Sequence, residues 1–193
     1  MKILLIDHED SFVHNIEQAL SERGAKVLCL RPGAARVQAT SFDPDAVVLS
    51  PGPGHPSDRR MTGLSRYLLD RWEEERPFLG VCLGHQLAAE HFGARVIHAA
   101  APVHGERTRI RHDGRGIFRS VRTPTLGARY HSLVVDPRSI PESLEVTAWG
   151  DGGVVMGLRH RTYPVESVQF HPESYLTPLG SAMFSNFLTG VRR

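Results

Sequence analysis

The sequence predicts an α/β fold: a doubly wound, mostly parallel sheet flanked by helices, with a small antiparallel β excursion. Three features carry that reading. Short continuous apolar runs recur through the first half, and runs of this length suit strands buried on both faces. Most of them are joined by segments with helical spacing, which a parallel sheet needs for its crossovers. After Gly93 the texture changes to short strands separated by turn residues, as antiparallel pairing requires.

"KILLID", Lys2 to Asp7, is the first buried strand. A helix follows: Asp10 or Ser11 can cap it, Phe12, Ile16 and Leu20 share a face, and Gly24 is a stop signal. "KVLCL", Lys26 to Leu30, is the second strand, with Cys29 expected as inert core. "DAVVLS", Asp45 to Ser50, is the third, and it runs into "PGPGHP". Leu64, Leu68, Leu69 and Trp72 mark an amphipathic helix, and Pro77 ends that connection before the strand at Phe78. The first half therefore reads β-α-β-β-α-β-α. Beyond it, "RVIHA", "RTRIR", "GIFRSV", "ARYHSLVV" and "LEVTAW" read as short strands, "HDGRG" and "DGG" as turns, and "ESVQF" as a further strand. "LGSAMFSNFLTG" closes the chain as a helix with Met183, Phe184 and Phe187 facing in.

At 193 residues the chain fits one domain spanning 1–193. A net charge of +2 and scattered arginines without interleaved aromatics speak against a nucleic-acid platform. The two cysteines, Cys29 and Cys82, lack the spacing of a disulfide framework or zinc site, and the histidines form no HExxH-like pair, so no metal is expected. The amino terminus reaches Asp7 too early for a signal peptide, and the expected location is the cytoplasm.

The chemistry centres on "FLGVCLGHQ", Phe78 to Gln86. Gly80 and Gly84 flank Cys82 as the glycines of a nucleophile elbow flank its nucleophile, because a strand turning sharply into a helix leaves no room for side chains there. The thiol is then exposed at the tip, where helix-end N–H groups favour thiolate. Alternatively the motif is a tight strand-helix turn around a buried cysteine. "PGPG" follows a strand end, so the N–H groups of Gly52 and Gly54 can face a ligand at the carboxyl edge of the sheet. One of them with the Leu83 N–H is a candidate oxyanion hole. In "VQFHPES", Pro172 biases His171 to an extended conformation, and an extended segment would put His171 and Glu173 on one side. A histidine beside a carboxylate is what thiol activation requires, although other histidines remain possible bases.

Elbow, "PGPG" loop and "HPE" together resemble the class I glutamine amidotransferases, over nearly the whole chain. The resemblance implies a flavodoxin-like sheet and hydrolysis of glutamine to glutamate and ammonia, with Cys82 as nucleophile, His171 as base and then acid, and Glu173 as its orienter. It also implies glutamine held by Gly52, Pro53, Gly54, Gln86, Ser132 and Leu133, largely through backbone groups plus the Gln86 amide. "DHEDSF", "LSPGPGHP", "GVCLGHQ", "RYHSLVV" and "VQFHPES" look most like the glutaminase component of anthranilate synthase or aminodeoxychorismate synthase. That likeness implies no cofactor in this chain and a chorismate-binding synthase partner, which carries the magnesium. "VHGE", Val103 to Glu106, corresponds to a loop placed near that partner. "DHEDSF" replaces the "DNYDSF" usual in stand-alone members and looks more like fused anthranilate synthases and phenazine-type enzymes. A γ-glutamyl hydrolase or peptidase, which needs no partner, and a catalytically silent binding protein are the competing readings.

Overall fold

The structure, a computed structural model, describes residues 1–191. Five strands form the parallel part: β1 (Lys2–Ile6), β2 (Lys26–Leu30), β3 (Ala46–Leu49), β4 (Phe78–Val81) and β9 (Val165–Val168). Between β4 and β9 in the chain come β5 (Val96–His112), β6 (Thr125–Val135), β7 (Leu144–Gly150) and β8 (Val155–His160). All nine belong to one sheet, in the order β2-β1-β3-β4-β9-β8-β7-β5-β6, parallel from β2 to β9 and antiparallel beyond. The antiparallel strands thus continue the main sheet through the β9–β8 pairing, rather than packing beside it.

Burial explains the uninterrupted apolar runs. Ile3, Leu4, Leu5 and Ile6 are all fully buried, because helices cover both faces of β1. Ile3 and Leu5 pack with Val13, Ile16 and Leu20 of α1 (Val13–Ser21) and with Met183, Phe184 and Phe187 of α5 (Gly180–Val191). Leu4 and Ile6 pack on the other side with Ala39 of α2 (Arg36–Phe42), Leu64, Leu68 and Trp72 of α3 (Arg59–Trp72), and Leu87 of α4 (Leu83–His91). This two-faced cover is the doubly wound arrangement. Gly24 ends α1 with φ of +83°, as its stop signal requires.

Several expectations are corrected. Phe12, assigned to the buried face of the first helix, sits before it and stays half-exposed, while Val13 takes the core position. α2 was not foreseen between β2 and β3: only Ala39 of its seven residues is buried, which leaves no amphipathic stripe to read. "RVIHA" and "RTRIR" belong to one bulged strand, β5, whose register shifts between His98 and Val103 and between His104 and Glu106. "GIFRSV" is a 3-10 turn over Gly116–Phe118, not a strand. Ile117 and Phe118 are buried there, the Ile117 N–H donates to a Glu166 carboxylate oxygen at 3.1 Å, and Asn186 donates to the Ile117 carbonyl at 2.9 Å. Docking on α5 and β9 thus replaces strand pairing.

Candidate active site

β4 ends at Val81 and α4 starts at Leu83, so Cys82 alone makes the reversal. It does so at φ 52° and ψ −100°, a conformation that side chains adopt only under constraint. The constraint is visible in the backbone: Cys82 N–H donates to the Val168 carbonyl at 2.9 Å, and its carbonyl accepts from Gln86 N–H at 3.0 Å. Gly80 and Gly84 are required by contact. A Cβ on Gly80 would lie 2.7 Å from the Gly84 carbonyl carbon, and one on Gly84 would lie 2.7 Å from Leu49 Cβ and 2.8 Å from its carbonyl carbon. The elbow expected from "GVCLG" is therefore present, but its cysteine is buried rather than exposed at the tip, because the residues after β9 close over it.

Because β4 and β9 pair in parallel with Val81 beside Val168, the residues that follow β9 pass the cysteine. His171 is fixed by its N–H donating to the Ala128 carbonyl at 3.0 Å. Its Nδ1 lies 2.7 Å from Glu173 Oε1, and the Glu173 side chain is fully buried. The pair does not share the extended segment that the sequence leads one to expect. Ser174 N–H donates to the His171 carbonyl at 3.2 Å, so the chain turns after Pro172 and brings the carboxylate back to the ring. With Nδ1 taken, Nε2 is the ring atom available to the thiol, and it has no other partner. Burial works to lower the His171 pKa, but the Cys82 sulfur and then the Glu173 carboxylate outweigh it and hold the imidazole well above its usual 6.5. His171 therefore keeps its proton at neutral pH.

A cavity of about 150 Å³ opens at Cys82, lined by Gly52, Pro53, Gly54, Gln86, Ser132 and Leu133, together with Tyr130 and His131. Six of the seven expected substrate contacts thus converge on one space. The seventh, Leu83, does not line the cavity and is buried, so what it can offer is its N–H at the first turn of α4. Gly52 is a close approach, since a Cβ would lie 2.5 Å from His8 Cβ and 3.0 Å from a Leu83 methyl, whereas Gly54 is needed for its φ of +87°. The structure also says which end of the Gln86 amide faces the cavity. Its Nε2 donates to the Leu133 carbonyl at 3.1 Å and to Gln169 Oε1 at 3.2 Å, so the carbonyl Oε1 is what it can present to a ligand.

A second cleft of about 330 Å³ adjoins the first at Cys82 and reaches His171, lined by Glu9, Asp10, Phe12, Pro51, His104 and Tyr130 among others. Another cavity, about 340 Å³, opens at the amino ends of β4 and β9, with Arg119, Arg161 and Asn186 in its wall. It holds no nucleophile. Among the described residues no cluster suited to a metal occurs, and no helix is long and apolar enough to cross a membrane. Cys29, half-buried in β2, has its thiol pushed up to about 11, chiefly by burial.

Sequence reasoning missed the residues that brace the site. His8 accepts from Ser65 Oγ at 2.8 Å, donates from Nδ1 to the Ser50 carbonyl at 3.0 Å, and so backs the loop that carries Gly52. His131 donates from Nδ1 to the Leu133 carbonyl and accepts from Arg129 Nε, both at 3.0 Å. Gln169 is also among them. Its one available signal was the period of two that puts it on the same side as His171.

His8, His131 and the fully buried His85 of α4 are neutral. Burial lowers His8 to about 4 and His85 to about 3, and burial with the Arg129 charge lowers His131 to about 4. Below the unfolded value of about 6.5 the unfolded chain binds protons that these rings refuse, so stability falls as pH drops. His171 acts oppositely, because its raised pKa contributes stability that is complete below 6.5. The net expectation is a loss of stability between pH 7 and pH 5.5, three lowered rings outweighing one raised one, read from urea midpoints. Equal or greater stability at pH 5.5 would contradict neutral burial of these rings.

Such an arrangement can cleave a small amide by covalent catalysis: a thiol, an imidazole whose far nitrogen is held by a carboxylate, and backbone N–H groups at a helix start to receive an oxyanion. This defines a thiol-dependent amide hydrolase built at the carboxyl edge of an α/β sheet. The model of the family "Glutamine amidotransferase class-I" matches residues 4–191, and the chain belongs to that family. It is 44% identical over 192 residues to the anthranilate synthase component 2 of Thermus thermophilus, covering 97% of this chain and 92% of that protein. To the aminodeoxychorismate synthase component 2 of Escherichia coli it is 44% identical over 187 residues, covering 96% and 98%. It is 45% identical over 190 residues to a multifunctional tryptophan biosynthesis protein of Phycomyces blakesleeanus, covering 98% of this chain but only 25% of that one. Among solved structures, a putative GMP synthase protein of Thermoplasma acidophilum superposes with a TM-score of 0.88 at 26% identity, covering all of this chain and 94% of that one.

Proposed function

We propose that this chain is the cytoplasmic glutaminase subunit of a chorismate-converting synthase, and that the synthase it serves makes anthranilate. The observation that carries the glutaminase reading is Cys82, held at φ 52° on the elbow between the His171–Glu173 pair and the 150 Å³ cavity. In the reaction the Cys82 sulfur attacks the side-chain carbonyl of glutamine, and the Leu83 N–H with a glycine N–H of the "PGPG" loop receives the oxyanion. His171, already protonated, gives its proton to the leaving nitrogen, and ammonia departs. His171 then takes a proton from water, whose hydroxide opens the γ-glutamyl thioester and releases glutamate and the Cys82 thiolate, so the protonated His171 and the thiolate are both restored. Glu173 keeps the ring oriented and its charged form favoured throughout. Gln86 Oε1 and the backbone at Ser132 and Leu133 hold the amino-acid end of the substrate.

The second cleft supports a partner. It reaches Cys82 past Phe12 and His104 and so offers ammonia a way out beside the glutamine cavity, with His104 of the "VHGE" segment in its wall. A synthase seated over this mouth receives the ammonia and carries the magnesium of chorismate chemistry, with none needed in this chain. The relatives' names support both products of such a synthase, and an aminodeoxychorismate synthase is the second reading, favoured by the equal identity to the Escherichia coli protein. "DHEDSF" tilts the choice to anthranilate or a phenazine-type aminodeoxyisochorismate. The deciding experiment mixes the chain with the chorismate-binding synthase of the same source, glutamine and chorismate, and identifies the aromatic product. Anthranilate supports the reading, 4-amino-4-deoxychorismate or aminodeoxyisochorismate replaces its pathway, and full turnover of γ-glutamyl peptides without any partner overturns it.

A further inference from the structure

Gln169 is fully buried directly after β9, two residues before His171, and its Nε2 lies 3.6 Å from the Cys82 sulfur with donor geometry. Which end of this amide faces the sulfur is fixed by its neighbours. The Leu133 carbonyl can only accept, so the atom of Gln86 that meets it must be Nε2, and the second hydrogen of that same nitrogen points to Gln169 Oε1 at 3.2 Å. The Gln169 oxygen is thereby occupied, and its N–H group is left for the sulfur. The Leu133 carbonyl is itself held by His131, which is held by Arg129. An unbroken hydrogen-bonded chain thus runs from a half-buried arginine, through the cavity wall, to the nucleophile.

We propose that Gln169 is a positioning residue for the thiolate: its amide N–H donates to Cys82 Sγ, stabilising the anionic sulfur and aiming it at the glutamine cavity. The proposal rests on the glutaminase reading and deepens it. A donor to the sulfur favours thiolate over thiol, and does so before substrate arrives. Because Gln86 both orients Gln169 and lines the cavity, occupation of the cavity and readiness of the sulfur are joined through two side-chain amides.

The test uses two variants of nearly unchanged shape. Gln169→Glu keeps an acceptor for Gln86 but loses the donor and sets a carboxylate beside the sulfur. Gln169→Met keeps the volume and removes both. In each, the rate of Cys82 alkylation by iodoacetamide is followed against pH by peptide mass, alongside glutamine hydrolysis with the partner synthase present. We expect Cys82 alkylation at pH 7 to slow by about tenfold in Gln169→Met and more in Gln169→Glu, the whole profile moving alkaline, and kcat for glutamine to fall with it. A merely structural residue would leave the alkylation profile of the folded protein in place, and that result overturns the proposal. If Gln169→Glu does not fold, Gln169→Met carries the test. A second measurement needs no variant: the side-chain amide protons of Gln169 should shift when Cys82 is alkylated, and unchanged resonances overturn the proposal equally. Wild type without any glutaminase activity would instead overturn the parent reading, which the same assay separates.

Discussion

Cys82→Ala abolishes glutamine-dependent product formation, by at least about a thousandfold, while synthesis from added ammonium salt by the partner synthase continues at the wild-type rate. The split is expected because Cys82 makes a bond only to glutamine, and the partner's chemistry begins once ammonia exists. Folding should be unaffected: the side chain is buried but small, and the elbow is held by backbone hydrogen bonds to the Val168 carbonyl and from the Gln86 N–H that alanine retains. Alanine at φ 52° keeps the strain that cysteine already carries. Product formation from each nitrogen source checks this. Loss of both activities would make Cys82 a structural residue, and retention of both would place the nucleophile elsewhere.

Gly84→Ala is the second large effect and acts through packing. The added methyl would sit 2.7 Å from Leu49 Cβ and 2.8 Å from its carbonyl carbon, at the end of the strand that leads into "PGPG". Neither group can swing away, since β3 is fully buried between β1 and β4. Overpacking of this kind costs about 3 kcal/mol, and the relief it forces moves the elbow away from the loop, so glutaminase activity should fall beyond what the lost stability explains. Gly63→Ala is the matching control. Gly63 lies within α3 with open space where its Cβ would be, so alanine there should stabilise by about 0.5–1 kcal/mol and leave activity alone. Urea midpoints with activity assays compare the two. Equal behaviour would mean that the elbow glycines are not needed for space.

Much of the site was legible because its signals are local. A strand-to-helix reversal needs glycines two residues either side of the nucleophile, and "GVCLG" spells that need in five letters; Pro172 likewise announces His171. The parallel half of the fold was legible for the same reason, its apolar runs being set by burial on both faces. What the sequence hid depends on tertiary partners. α2 has no stripe, "GIFRSV" is β-rich in composition but docks on α5 and Glu166, and the joining of the antiparallel strands to β9 rests on a pairing between distant segments. The bracing residues were hidden in another way. His8 and His131 act on backbone carbonyls and Gln169 on Gln86 and the Cys82 sulfur, and nothing in their spacing distinguishes them from satisfied core polar groups.

The central claim is that Cys82 forms a covalent bond with the side-chain carbonyl carbon of glutamine inside the 150 Å³ cavity. It is tested most directly by treating the chain, with its synthase partner, with a glutamine analogue bearing a diazoketone in place of the carboxamide, and locating the adduct by peptide mass. A single adduct on Cys82, suppressed by excess L-glutamine and by Cys82→Ala, is the predicted result. Modification of another residue, or a Cys82 adduct that glutamine does not suppress, would contradict it.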